Sequence, residues 1–478
     1  MVGWTGAYRC PRLGTVTVNE LTGLLAGCLR LTSAGHVEVV DAALLRSQVI
    51  DRLVREAVLA QDQTVRQACR WVIRASAQAL GVYPASIREL YLTRGRGEVS
   101  GFTVPAVNAR MLPYDTAWAG FSAAQGLGVG TLVWELARSE MGYTGQSPEE
   151  YATAVLAAAI KSGVCGPVFI QGDHFQVQSS RYRTDPEGEV GDLRRLIREA
   201  IAAGFYNIDI DASTVVDIAQ DDLHLQQVPN CRITSDLTDF IGGLQPRGIV
   251  ISVGGEIGEV GGRNSTVGDL DAFMKGYLER VGTNSPWLTK ISVQTGTHHG
   301  GVVLPDGRIA PVAISFDTLG ELGRVARERF GLAGVVQHGA STLPEELFHR
   351  FPETETAEIH LATEFQNIIY DSVEFPTSLR KQMYAHLKSE LGGPGDNVTE
   401  AQFYYRERKR ALGPFKSQLW SLPEDVRAGL RRRLEEKFKR LFEKLRVSGT
   451  QELVSRHIKA VPVSQPPPEA MARLLVVG

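Results

Sequence analysis

PVFIQGDH, residues 167–174, is an apolar run that stops abruptly on an aspartate and a histidine. So short and nearly continuous an apolar run reads as a strand covered on both faces, and the polar pair marks the end where it emerges. Runs of the same kind recur on either side: Phe102–Asn108, Thr131–Ala137, Tyr206–Asp211, Ile249–Glu256, Lys290–Thr295, Gly334–His338 and Glu358–Leu361. Amphipathic stretches such as Pro148–Lys161 and Gly191–Ala203 separate them. Strands that alternate with helices pair in parallel, because a parallel pair needs a long crossover.

Eight such units between residues 102 and 361 match the roughly 250 residues of a closed (β/α)8, or TIM, barrel. An open doubly wound sheet is the alternative. The polar residues favour the barrel, because they gather where strands end: Asp173 and His174, then Asp211, Glu256, His299 and His338. In a barrel these ends meet at one mouth.

The flanks read differently. Residues 1–98 form a helical N-terminal extension, with apolar residues at helical spacing in Val39–Ala57 and Thr64–Leu80. The barrel occupies residues 99–378. Residues 379–478 form a helical C-terminal extension, in which Val426, Leu430, Leu434, Phe438, Leu441 and Leu445 share one face. The basic run Arg431–Arg433 is followed at once by Glu435 and Glu436 and reads as a solvated helix face. Pro462–Pro468 is a proline-rich linker before a short tail.

The 478 residues are 43% hydrophobic and 22% charged, as in a soluble globular protein, and the net charge of -3 gives no reason to expect nucleic acid as a partner. No apolar stretch is long enough to span a bilayer, and the N-terminus lacks the pattern of a secretory signal. The five cysteines, Cys10, Cys28, Cys69, Cys165 and Cys231, form no CxxC pair. A reducing compartment, the cytoplasm, is the expectation.

Three histidines, His174, His299 and His338, would meet at the mouth. Catalytic zinc typically takes three protein ligands and keeps one position open. A single histidine in a polar loop is usually structural; three at one rim point to a divalent metal. Of the pair His298–His299 only one can be a ligand, since adjacent extended residues face opposite sides. Asp173 lies beside the metal and is placed to act as general acid or base, unless it merely caps the next helix. Asp211 and Glu256 could orient a ligand histidine, hold a second metal position, or pair with an arginine such as Arg263. The glycines Gly254, Gly255, Gly258, Gly261 and Gly262 suit either a lid or a plain turn. Gly339 and Ser341 offer backbone amides and a hydroxyl where barrels often bind phosphate, Ser341 being equally suited to cap a helix.

PAVN (105–108), GDH (172–174), GFYNIDIDAS (204–213), GEIGEVGG (255–262), GTHHGG (296–301) and VQHGAS (336–341) together resemble the class II, metal-dependent fructose- and tagatose-bisphosphate aldolase family. The resemblance implies zinc, or another divalent ion, on His174, His299 and His338, and chooses His299 over His298. It implies that Asp173 handles the hydroxyl proton and that Asp211 and Glu256 flank an alternative metal position. Asn108, Gly300, Gly339, Ser341 and Thr363 would surround a sugar or sugar-phosphate substrate. A cytoplasmic homo-oligomer, dimer or tetramer, acting in carbohydrate metabolism such as glycolysis is also implied.

The chain departs from the family's pattern in three places. Arg263 and Asn264 stand where the family carries acidic residues, one of them the base for the ketone half, with Glu259 and Asp269 as the nearby carboxylates. Glu135 and Ala137 replace glutamine and serine, and His360 and Ala362 replace asparagine and aspartate. Lys290, the alternative Schiff-base candidate, opens its strand at the end away from the mouth. The expected activity is retro-aldol cleavage of a ketose bisphosphate or related sugar. A sugar epimerase using the same chemistry and a non-catalytic subunit of a tagatose-bisphosphate aldolase are the alternatives.

Overall fold

The computed structural model describes residues 17–32, 36–258, 263–296, 303–305, 310 and 314–472. His298, His299, Gly300, Glu259, Gly261 and Gly262 lie outside the described residues. Near the N-terminus, β1 (Leu29–Leu31) and β2 (Val37–Val39) form a small antiparallel ladder. The strand β3 (Val82–Ala85) joins the main sheet ahead of the barrel proper.

The barrel strands follow as β4 (Val104–Asn108), β5 (Val133–Ala137), β6 (Gly166–Gln176), β7 (Asn207–Asp211), β8 (Ser252–Glu256), β9 (Leu288–Val293), β10 (Val335–Gln337) and β11 (Glu358–Leu361). Each coincides with one of the eight runs read from the sequence. All neighbouring pairs are parallel, and β11 closes onto β4 from Glu358↔Val104 to Leu361↔Val107. Every residue of β4, β5, β7, β9 and β11 is buried, as strands enclosed by helices require.

The helices start and stop by local chemistry. In Pro148–Ser162, the Ser147 hydroxyl accepts from Glu150 N, proline occupies the first turn, and Gly163 ends the helix in a left-handed conformation (φ 74°). The alanine-rich faces of this helix let the helices Ile50–Leu59 and Gln63–Ala79 pack closely on it. Among the described residues, no helix is long and apolar enough to cross a membrane.

β3 was not visible in the sequence. It pairs with the first half of β6, Val82↔Gly166 to Ala85↔Phe169, whereas β7 pairs with the second half, from Gln171↔Asn207. The barrel thus opens at its N-terminal end and β3 fills the gap. Asn207 fastens the wedge: Nδ2 donates to the carbonyls of Ala85 and Ile170 (both 3.1 Å), and Oδ1 accepts from Ile87 N (2.9 Å). The following helix, Arg88–Gly95, then plugs that end, with Arg88 bonded to Trp287 O (2.8 Å) and Arg94 to Phe102 O (2.6 Å).

The C-terminal helix Glu424–Lys444 lies along the barrel helix Pro113–Leu127 and inserts Phe438 against Trp134 and Phe365 (ring centroids 5.7 and 4.5 Å apart). The basic run is only partly a solvated face, since Arg431 pairs with Asp115 (2.6 Å) and Arg433 with Glu374 (2.7 Å). The proline-rich segment is not a free linker, because Trp71 Nε1 donates to Gln465 O (3.0 Å).

Replacing Asn207 with alanine leaves three buried backbone groups without their partner. At about 1–3 kcal/mol for a stranded buried group, partly relieved by relaxation, Asn207→Ala should lose at least about 2 kcal/mol in urea unfolding. A loss below about 0.5 kcal/mol would mean that the wedge is not fastened by this side chain.

Candidate metal centre

In a regular strand, adjacent side chains face opposite ways, so Asp173 and His174 could not both reach the mouth. The pairing of β6 with β7 shifts between Gly172↔Ile208 and Phe175↔Ile210, which makes room for one extra residue. His174 takes φ 40°, a left-handed conformation uncommon for a side-chain-bearing residue. This bulge turns both side chains inward. Glycine is required at 172, where an added Cβ would sit 2.4 Å from the Phe175 ring.

The strand ends then converge. The His174 and His338 rings lie 4.0 Å apart between centroids, and donor atoms of Asp173, His174 and His338 fall within 4.8 Å of one another. His174 Nδ1 lies 3.1 Å from Asp211 Oδ2 and 3.2 Å from Glu256 Oε2. Asp211 and Glu256 therefore sit at the centre, beside His174, and not in a pair with Arg263. With His174 they also form a second set of donors within 4.8 Å. His338 Nε2 is 3.0 Å from Ser292 Oγ. Imidazole and carboxylate at this spacing are the donor chemistry that zinc and similar divalent ions take, so the residues present fit such an ion.

Asp173 is held on both oxygens: Asn108 Nδ2 donates to Oδ2 (3.0 Å) and His360 Nδ1 lies 3.0 Å from Oδ1. Burial alone would raise its pKa, but His174, His360 and His338 hold it well below the usual carboxylate range. Burial, with Asp211 nearby, pushes Glu256 up to about 7 even though His174 opposes the shift. His360 contacts carboxylates through both ring nitrogens, Asp173 and Glu135 on one side and Glu358 on the other. Against the cost of burial, Glu135 and Asp173 raise its pKa well above the ordinary value.

Below this layer the barrel interior is charged. Lys290 Nζ reaches Asp209 Oδ2 (2.9 Å), Gln171 Oε1 (2.8 Å) and Glu358, and Tyr91 from the plugging helix donates to Glu358. Gly254 leaves the space for this pair, since a Cβ there would lie 2.2 Å from Asp209 Oδ1. Lys290 is thus inside the barrel, and Asp209 and Glu358 overcome burial to raise its pKa. A Schiff-base lysine needs the opposite shift.

A cavity of about 230 Å³ opens above the cluster, lined by Asn108, Asp173, His174, His338, Gly339, Ser341 and Thr363. Gly339 turns with φ 72°, and the Ser341 hydroxyl accepts from Ala362 N (2.8 Å), tying the loop after β10 to the one after β11. Residues unnoticed in the sequence share the wall, Arg110, Arg138, Glu140, Tyr143 and Lys409, together with His360, which the sequence marked only as a departure from the family pattern. Glu140 accepts from Asn108 Nδ2 (2.9 Å) and pairs with Arg110. The spacing Asn108-x-Arg110 was the one available signal. Asp269 is not available for proton transfer: Arg263 grips it through two bonds (2.7 and 2.8 Å), and it caps the helix Val267–Leu278 through Thr266.

A parallel eight-stranded barrel with a histidine–carboxylate centre at its C-terminal mouth is the class of protein that fold and site define. The chain belongs to the class-II fructose-bisphosphate aldolase family, whose family model matches residues 96–439. Family membership suggests lyase activity. Curated proteins give no match to the chain. Among solved structures, the YdjI aldolase of Escherichia coli K12 is 15% identical, with 77% of this chain and 99% of that one covered and a TM-score of 0.46. The fructuronate-tagaturonate epimerase UxaE of Cohnella laeviribosi is 13% identical over 76% of this chain and 82% of that one, with a TM-score of 0.46. A probable tagatose 6 phosphate kinase of Sinorhizobium meliloti 1021 is 14% identical over 78% and 98%, with a TM-score of 0.47.

His338→Ala should remove bound divalent metal, expected at about one ion per chain in the purified protein. Its circular dichroism and unfolding midpoint should stay near those of the parent, because the side chain lies at the mouth and not among the apolar layers outside the strands. Retention of the ion, or collapse of the fold, would contradict this role.

Proposed function

We propose that the protein is a metal-dependent carbon–carbon lyase. It would reversibly cleave a ketose bisphosphate, or a related sugar, to an aldehyde and a ketone resembling dihydroxyacetone phosphate. The observation that carries this reading is the placement of Asp173, gripped by Asn108 and His360, beside His174 and His338 on the floor of the cavity.

His174 and His338, with His299 as third ligand, would hold zinc or a similar divalent ion, with Asp211 and Glu256 keeping His174 oriented. Such an ion supplies Lewis acidity for the negative charge that develops on the ketone half, worth several kcal/mol. Asp173 takes the proton of the hydroxyl two carbons from the ketone. The carbon–carbon bond between them breaks, its electron pair passes into the enediolate, and the hydroxyl carbon leaves as aldehyde. Release of the ketone then requires a proton on the enediolate carbon.

One observation favours a second reading. Asp269 is locked to Arg263, so the loop after β8 presents no available carboxylate among its described residues. An epimerase has no need of that proton: the aldehyde turns, the same bond re-forms on its other face, and Asp173 returns the proton it took.

Incubation with fructose or tagatose 1,6-bisphosphate while trapping triose phosphate separates the two. Triose from either sugar supports cleavage, and interconversion without triose supports epimerisation; neither outcome with metal-loaded protein would overturn both readings for these bisphosphates. Asp173→Asn should lower kcat by about 10²- to 10⁴-fold with metal content unchanged, the usual contribution of a placed acid–base group.

A further inference from the structure

The C-terminal extension touches the loop that joins β9 to the helix Phe316–Phe330. The contact comes from the start of the helix Glu400–Glu407, where Thr399 and Gln402 cap each other. Thr399 N donates to Gln402 Oε1 (3.0 Å), and Gln402 N donates to Thr399 Oγ1 (3.2 Å). Each side chain still has a donor to give. Thr399 Oγ1 donates to Pro305 O (2.8 Å) and Gln402 Nε2 to Val303 O (2.8 Å), with Val303 and Gln402 both buried. One cap thus grips two carbonyls of the loop.

The grip has a firm base. Tyr404 of this helix stacks on Tyr384, with ring centroids 4.2 Å apart and 7° between planes. The helix runs directly into Arg408, which is buried, pairs with Asp371 (2.8 Å) and accepts the Tyr370 hydroxyl on its carbonyl (2.8 Å). The loop has a second fixed point at its root. There Ser315 N donates to Thr295 O (3.0 Å), Ser265 N donates to Gln294 O (2.8 Å), and Gln294 N donates to Ser265 Oγ (3.0 Å). In the sequence His299 stands midway between these points, four residues after Thr295 and four before Val303.

We propose that Thr399 and Gln402 are positioning residues for the metal centre: by holding Val303 and Pro305 they shorten the span that carries His299 and so present its imidazole to the ion. This rests on the reading of His299 as third ligand. Without the grip, the span fixed at both ends grows from eight residues, Thr295 to Val303, to twenty, Thr295 to Ser315. The chance that a flexible span holds its ends or its middle in place falls as about the 3/2 power of its length. Release should therefore weaken the hold on the ion about four-fold, and further where the orientation of the ring is lost as well.

Two substitutions keep the cap and remove only the grip, because a carboxylate accepts hydrogen bonds and donates none. Thr399→Asp still caps the helix through its oxygen, and Gln402→Glu still accepts from Thr399 N. The full chain, the double variant and the hydroxyl-keeping control Thr399→Ser are titrated with zinc against a chromophoric chelator. Amide exchange is followed in the same proteins without metal. The double variant should bind zinc about four- to ten-fold more weakly than the parent. Its exchange should quicken in peptides covering residues 303–305 and stay unchanged in those covering 400–407, while Thr399→Ser matches the parent in both. Thr399→Asp alone repeats the test if the double variant does not fold. Unaltered exchange at 303–305 would overturn the grip itself. Quicker exchange with zinc affinity within about two-fold of the parent would overturn the positioning role and leave the lyase reading standing. Failure of the parent to bind zinc would instead sink the metal reading, and the role of His299 with it.

Discussion

The site depends on two adjacent residues facing the same way. Asp173 and His174 reach the mouth together because β6 carries a bulge and His174 adopts a left-handed backbone. Such a conformation costs of the order of 1–3 kcal/mol and persists only where the surroundings over-determine it. Here Phe175 packs over Gly172 on one side of the bulge, and Asp211 and Glu256 hold the His174 ring on the other. Straightening the strand would send one of the two side chains to the outer face and leave either Asp173 or His174 at the mouth, but not both.

The floor beneath is a second constraint. A barrel interior is ordinarily filled by branched apolar side chains. In this protein Glu135, Gln171, Asp209, Lys290 and Glu358 occupy it, with His360 joining them to Asp173. Buried charge is costly unless each group is matched, and breaking one pair typically costs about 3–5 kcal/mol. The network links the floor of the barrel to the site, and its upper edge is Asp173, the carboxylate that faces the cavity.

Much of the barrel was legible, because a strand end carries local chemistry. Asp173, His174, Asp211, Glu256 and His338 each close a short apolar run, and one assumption about strand order brings them to one rim. β3 was hidden for the opposite reason. Val82–Ala85 is a four-residue strand in helical surroundings, and what makes it a strand is its ladder with β6, fastened by Asn207 some 120 residues away. Asp269, a nearby carboxylate that could have stood in for the missing base, was opaque for a similar reason, since nothing local shows that Arg263 and Thr266 engage it. Lys409 lies in a charged run, Arg406–Arg410, that looks like any solvated helix end until the fold places it in the cavity wall. The assignment of His299 over His298 falls on residues outside those described and rests on the family pattern.

The proposed chemistry needs a divalent ion held by imidazoles at the barrel mouth. X-ray absorption at the zinc edge of the zinc-loaded protein tests this most directly. It should show a nitrogen-rich shell at about 2.0–2.1 Å with the outer scattering of three imidazole rings. A shell of oxygen alone, or sulfur at about 2.3 Å, would contradict it.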